Sequence, residues 1–489
     1  MKLSVEKRSG VLLHPTSLPG GHGIGDLGPE SYKFIDHLSD MGQSLWQVLP
    51  LGPTDQFNSP YSSISTFAGN HLLISLDLLV EANLLKASAI KTKPSLNSNR
   101  VNFKDVIAYK APLLKQVSKD FNTKASTDMR NRFEDFKDNN SYWLDGYSLF
   151  CANKEANQHR PWMKWKEKNL GLKECIDQAM VLQFLFHDQW QSLHRYCKGK
   201  GVQVIGDMPI YVDHDSSDVY SNRHLFNLDE NGRMIYQSGA PPCDFQKNGQ
   251  LWGTPVYNWD KHEEEQYKWW IQRFKKLFQM VDIIRLDHFI GYAKFYRILT
   301  KNKTAVNGEW LRGPGTNFFD TVLKAIKTFN VIVEDLGDVT QDVIELRDRY
   351  RFPGMKVFQF EADSMQHSKD CDSNSFFCTG THDNDTIMGW FKSLPKQRSD
   401  HNELSQDSLL NFFNCNKENV HWKMINYTLR KSSKFVVVPM QDLFAEDSRA
   451  RFNVPGTLSN HNWSWRMKPN QLTDSIKNKL EDLTKNIRN

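Results

Sequence analysis

The sequence contains no Cys-x-x-Cys pair and no run of about twenty apolar residues. Its seven cysteines, at 151, 175, 197, 243, 371, 378 and 415, are odd in number and widely scattered. That argues against a disulfide framework or a zinc site and for a reducing compartment. Without a long apolar run, a membrane-spanning helix is not expected. The start, MKLSVEKRSGVLLHPTSLPG, has only a short apolar stretch before Pro and Gly, unlike a signal or transit peptide, so a cytoplasmic location is expected. Charge of one sign is also lacking: 62 Lys and Arg stand against 57 Asp and Glu, a formal +5, with the two signs interspersed. Such a chain offers neither a nucleic-acid stripe nor a basic membrane-binding helix. Internal repeats and low-complexity tracts are not seen.

What remains is an ordinary globular composition, 39% hydrophobic and 24% charged. The 489 residues would make roughly three average domains, but α/β barrels with insertions often run long as one unit. The 14 Trp, 15 Tyr and 30 Phe are mostly core material, yet many Trp in a polar chain also suit a flat ligand such as a sugar ring.

Eight short apolar runs end in polar or turn residues: GVLLHP (10–15), SLWQVLPLGP (44–53), VQVIGDMPI (202–210), VDIIRLDH (281–288), NVIVEDLG (330–337), MKVFQF (355–360), SFFCTGTHDN (375–384) and FVVVPMQD (435–442). Runs without alternation fit strands covered on both faces. Helix-like segments separate several of them, and the whole predicts an α/β fold, a (β/α)8 TIM barrel. Residues 1–53 hold the first two strands. The gap 54–200 exceeds one βα unit and is expected to be an inserted, mostly helical subdomain. The rest of the barrel follows in 201–489, with a Gly-, Pro- and Asn-rich substrate-loop insertion at about 211–260. The stretch SIKNKLEDLTKNIRN predicts a final charged helix, and no C-terminal β-sandwich is expected.

The fourth run raises the functional question, because it delivers Arg285, Asp287 and His288 where a buried strand emerges. Side chains alternate along a strand, so Ile283, Arg285 and Asp287 share one face while Ile284 and Leu286 face the helices. At the C-terminal mouth of a barrel, where catalytic groups sit, an adjacent guanidinium favours the ionised carboxylate and keeps it available as a nucleophile. Alone, this pair could equally close a strand end. The pattern repeats, however: Asp207 ends the third run, Glu334 and Asp335 the fifth, His382 and Asp383 the seventh. One such acid can cap a helix, but several converging on one mouth cost stability unless function requires them. A nucleophilic carboxylate and a general acid form the apparatus of retaining glycoside chemistry.

These residues lie in stretches that closely resemble the amylomaltase or disproportionating-enzyme family, the 4-α-glucanotransferases of glycoside hydrolase family seventy-seven, related to the α-amylases. The resemblance runs nearly end to end through SGVLLHPTSLPGGHGIGDLG, WQVLPLGP, SPYSSISTFAGN, GDMPIYV, GQLWGTPVY, RLDHF, VEDLG, FPGMKVFQF, TGTHDNDT, PMQDLF and RFNVPGT. It implies that Asp287 is the nucleophile and Glu334 the acid that later acts as base. Asp383 holds the sugar 2- and 3-hydroxyls, and Arg285 sets the ionisation of Asp287. His382 and Asp207 are implied to bind hydroxyls of the sugar at the cleavage point. Tyr61 would stack beneath its ring, and Trp252 would belong to a mobile loop beside the acceptor.

Some positions depart from the family's pattern. Cys243 follows Pro241 and Pro242 where Asp is usual, with Asp244 one place later. Ile290 stands for Arg and Tyr296 for Trp, and His461 looks like an added residue near a loop expected to cover the donor site. These departures are expected to touch substrate contacts rather than the three acids. Transferase and hydrolase share one covalent intermediate. The Trp252 and Tyr257 insertion and HNWSWR are material for excluding water, which favours transfer over an amylase-like hydrolase. A silent glucan-binding protein would have lost a catalytic acid. No cofactor and no required metal are expected. The partners implied are maltooligosaccharides and α-1,4-glucans, not nucleic acid or membrane, for a monomer or homodimer.

Overall fold

Strands covered on both faces can pair in parallel only if the chain returns through crossovers, and the eight apolar runs do this. A computed structural model of the chain describes residues 7–91, 99–166, 172–242, 246–364, 372–397 and 404–488. The strands are β1 (Arg8–Leu12), β2 (Leu45–Gln47), β3 (Gln203–Met208), β4 (Tyr236–Ala240), β5 (Gln250–Pro255), β6 (Ile283–Leu286), β7 (Lys294–Leu299), β8 (Gly308–Arg312), β9 (Val331–Val333), β10 (Gly354–Val357), β11 (Ser375–Cys378) and β12 (Phe435–Pro439). Eight form a closed barrel in the order β1-β12-β11-β10-β9-β6-β3-β2, every pair parallel. This is the (β/α)8 barrel the apolar runs predict. All four residues of β6 are buried, which is why the run shows no polar alternation.

Between β2 and β3 lie the long helices Phe103–Lys124, Thr127–Ala156 and Lys173–Gly199. Asn102 and Ser126 cap the first two through side-chain oxygens that accept backbone N–H groups. Gly201, at φ 72°, turns the chain from the third into β3, a left-handed step that glycine takes without penalty. Trp190 on that helix is fully buried and donates its indole N–H to the Met280 carbonyl at 2.9 Å, tying the helix to the segment entering β6.

The 211–260 stretch differs from its expected loop character. β4 and β5 belong to a four-stranded antiparallel sheet, β5-β4-β7-β8. Their partners β7 and β8 come later in the chain, and Gly239, Gly249 and Gly253 read locally as turns. Gly239 is needed for the pairing, since a Cβ there would lie 2.1 Å from the Gln250 carbonyl oxygen. Beyond β12, the described residues contain no further strand and end in the helix Asp474–Arg488. Among the described residues, no helix is long and apolar enough to cross a membrane.

Candidate active site

The parallel register sets Asp207 of β3 beside Arg285 of β6. The guanidinium, 5% exposed, donates from one Nη to both oxygens of Asp207 and to Oδ1 of Asp287, each at 2.9 Å. Its other Nη lies 4.0 Å from Glu334 Oε2. The surrounding acids hold Arg285 charged. Burial pushes the Asp207 carboxyl up, and the guanidinium opposes that shift. Tyr61 Oη donates to Asp207 Oδ2 at 2.7 Å, and its ring stacks on His382 with centroids 4.7 Å apart. Asp207 is therefore a covered floor residue, its side chain fully inaccessible and its oxygens engaged by Arg285 and Tyr61. The expected direct hydroxyl contact does not fit this placement.

Past β6 the chain turns sharply. Asp287 N–H bonds the Met208 carbonyl, and His288 adopts φ 48°. The His288 N–H then donates to Glu334 Oε2 at 2.6 Å, and the Phe289 N–H to the Glu334 carbonyl at 2.9 Å. Glu334 follows β9 directly. Burial, with Asp287 nearby, pushes its carboxyl up to about 8 against the pull of Arg285. Its neighbour Asp335 points elsewhere, accepting from Arg347 and from the Met355 N–H, so it is structural.

After β11, Thr381 Oγ1 accepts the Asp383 N–H. Asp383 Oδ1 accepts from Asn453 Nδ2 at 2.7 Å, and Arg451 donates to the Asp383 carbonyl at 2.6 Å. His382 Nε2 stands 3.5 Å from Asp383 Oδ2. Asn453 and Arg451 thus hold Asp383. Their stretch, RFNVPGT, lies within the resemblance, which implies no role for either residue.

Asp287, Glu334, Asp383, His382, Tyr61 and Trp252 all line one open cleft of about 2080 Å³. Asp207 and Arg285 sit beneath it. Trp252 lies on β5, at an irregularity in its pairing with β4, with its ring edge-on to His288 at 4.9 Å and 87°. Two segments flank the cleft, 246–254 and 453–463. They approach closely, for a Cβ at Gly456 would lie 3.4 Å from Gln246 Nε2. His461 lines the cleft. Ile290 and Tyr296 do not: both are buried, and Tyr296 Oη donates to the Ala305 carbonyl in the connection between β7 and β8. Expecting these two departures to touch substrate was wrong, because apolar packing and a backbone bond occupy them. Cys243 and Asp244 lie outside the described residues. Among the described residues, no group of three or more His, Cys, Asp or Glu could hold a metal ion.

The family model described as 4-alpha-glucanotransferase matches residues 13–473. A 4-alpha-glucanotransferase of Synechocystis sp. is 40% identical, the match covering 98% of this chain and 98% of the relative. One of Thermus thermophilus is 36% identical, covering 96% and 97%. The solved amylomaltase of Streptococcus agalactiae, in complex with acarbose, superposes with a TM-score of 0.91 at 32% identity, over 98% of each chain. With a barrel mouth that gathers three acids over a buried arginine, and with likeness along almost its whole length, the chain belongs to the 4-alpha-glucanotransferase family.

Proposed function

We propose that the protein moves α-1,4-glucan segments from a donor maltooligosaccharide to the 4-hydroxyl of an acceptor glucan or glucose by a retaining double displacement. Asp287 is the nucleophile and Glu334 the acid and base. In the first step an Asp287 oxygen bonds to the anomeric carbon as the glycosidic C–O bond breaks. The departing chain takes the Glu334 proton, leaving a β-glucosyl ester. In the second step Glu334 removes the acceptor hydroxyl's proton, that oxygen attacks the same carbon, and Asp287 departs with the α configuration restored. Asp383 holds the 2- and 3-hydroxyls and favours the distorted ring. Tyr61 lies beneath that ring, His382 binds a hydroxyl, and Trp252 flanks the acceptor. Asp207 serves from below, fixing Arg285 and Tyr61.

One observation carries this reading. A single buried guanidinium touches Asp287 and approaches Glu334 within one cleft, so a nucleophile and an acid share its charge unequally. Asp287 accepts its hydrogen bond directly, while burial keeps Glu334 protonated up to about 8. Transfer rather than hydrolysis is supported by the two segments that flank the cleft and approach each other at Gly456 and Gln246, surface on which an acceptor can be held in place of water. The five cysteines among the described residues that are seen free suit the reducing cytoplasm we assign to it.

Incubation with maltotriose is expected to give glucose and a ladder of longer maltodextrins. New reducing ends without longer products would mean hydrolysis instead. Asp287→Asn is expected to abolish both, and wild-type turnover by that variant would remove the proposed nucleophile.

A further inference from the structure

His288 is the ionisable group of the fourth run that the double displacement leaves unused, and its geometry is unusual. A residue with a Cβ at φ 48° is strained by the close approach of its own backbone. Such a turn persists only where its surroundings hold it. Here the strained conformation aims the His288 N–H at Glu334 Oε2, 2.6 Å away. The next N–H, from Phe289, holds the Glu334 carbonyl. On the other side the imidazole meets the Trp252 ring edge-to-face at 4.9 Å, an arrangement favourable to aromatic rings. Room for the ring comes from Gly291, where a Cβ would press to 3.3 Å of the imidazole Cδ2 and 2.5 Å of Ile210 Cδ1. Trp252 is itself steadied, its indole N–H donating to Gln250 Oε1 at 3.0 Å and its ring 5.9 Å from Tyr211.

We propose that His288 is a positioning residue for Glu334, that Trp252 holds its ring in place, and that an acceptor glucan seated against the indole thereby firms the grip on the acid–base carboxylate. The proposal rests on Glu334 being the acid and base. Its physical content is a lever. Trp252 keeps the imidazole seated, the seated imidazole keeps the left-handed turn, and the turn keeps one N–H on Oε2. That hydrogen bond favours ionised Glu334, the form that must receive the acceptor's proton. The other charged groups that act on Glu334 are Arg285 and Asp287, with Asp335 from a distance, and Asp287 also acts on the imidazole. None of these is altered by the variants below. Burial keeps the imidazole on the neutral side, so the lever works by shape rather than by a second charge.

The test is the pH profile of kcat/KM for maltotriose in His288→Ala, His288→Gly and Trp252→Ala. His288→Ala keeps the strain and loses the ring, and Trp252→Ala leaves the ring unsupported. Both are expected to move the alkaline limb up by about one pH unit, the size of a lost backbone hydrogen bond to a charged group. Glycine adopts the left-handed turn freely, so His288→Gly is expected to return the limb to its wild-type position. A limb unmoved in both alanine variants overturns the proposal, as does a limb in His288→Gly displaced as far as in His288→Ala. Glu334→Gln separates the two levels. If it is inactive while the limbs stay fixed, only the lever falls; if it remains fully active, the acid–base assignment falls.

Discussion

Replacing Arg285 by Gln should expose how the floor of the cleft is balanced. The guanidinium makes three contacts of 2.9 Å, two of them to Asp207, whose side chain is fully inaccessible. Removing one partner of such a buried pair strands the other charge and costs about 3–5 kcal/mol. At about 2.1 cal/mol/K per residue, 489 residues unfold with an entropy of about 1 kcal/mol/K, so the melting temperature should fall by about 3–5 °C at pH 7.5. The deficit should depend on pH in a known direction. Burial already pushes the Asp207 carboxyl above its unfolded value, and without Arg285 the strongest opposing influence is gone, leaving only the weaker pull of His382 and the Tyr61 hydrogen bond. A carboxyl raised in the folded state binds its proton more tightly there, so stability falls as pH rises from the unfolded value through the folded one. Arg285→Gln should therefore recover much of its loss at pH 5.5. Adding Asp207→Asn should restore most of the stability at pH 7.5, since the inaccessible Asp207 charge is then gone and Asp287, left without its partner, is partly open to solvent. It should not restore transfer, because Asp287 still lacks its donor. Thermal melts of the three proteins at both pH values, with glucose release from maltotriose, give the answer. An Arg285→Gln deficit equal at both pH values, or undiminished by Asp207→Asn, would refute the reasoning.

Three further outcomes are expected. In the proposed mechanism Glu334, held up to about 8, must be protonated to cleave the donor, so wild-type kcat/KM should hold to about pH 8 and decline above it; a decline already complete by pH 6 would contradict this. Asn453→Ala removes the 2.7 Å bond that orients Asp383 and should lower kcat/KM about tenfold in initial-rate assays of maltotriose. Asp55, at the cleft, has its carboxyl pushed up to about 6 by burial, with Asp213 adding to the effect. Its ionisation opposes folding above that pH, so Asp55→Asn should raise the melting temperature at pH 7.5 and leave it unchanged at pH 4.

The barrel and the three acids were legible because one physical rule produces both signals. A strand covered on two faces reads as an unbroken apolar run, and the first polar residues beyond it mark its mouth. Asp287, Glu334 and Asp383 each stand just after such a run. Other parts depend on pairing that no local pattern encodes. β4 and β5 look like glycine-rich loop until β7 and β8 arrive to pair with them. Asn453 and Arg451 reach Asp383 across about seventy residues, so neither spacing nor periodicity announces them. The depth of Asp207 is likewise a property of Tyr61 and Arg285 closing over it. Ile290 and Tyr296 drew attention as departures from a pattern, yet whether a position faces a ligand or a core is decided by tertiary packing.

The seam of the barrel joins β1 to β12, from Arg8 beside Phe435 to Leu12 beside Pro439. A ring sealed by its first and last staves cannot be finished during synthesis until the final one leaves the ribosome, and contacts so distant in sequence form slowly. β11, which leads into the turn that carries Asp383, leans directly on that last stave. A nascent chain halted before Phe435 would thus possess every acid and still be inert, so the cell receives this catalyst all at once rather than by degrees.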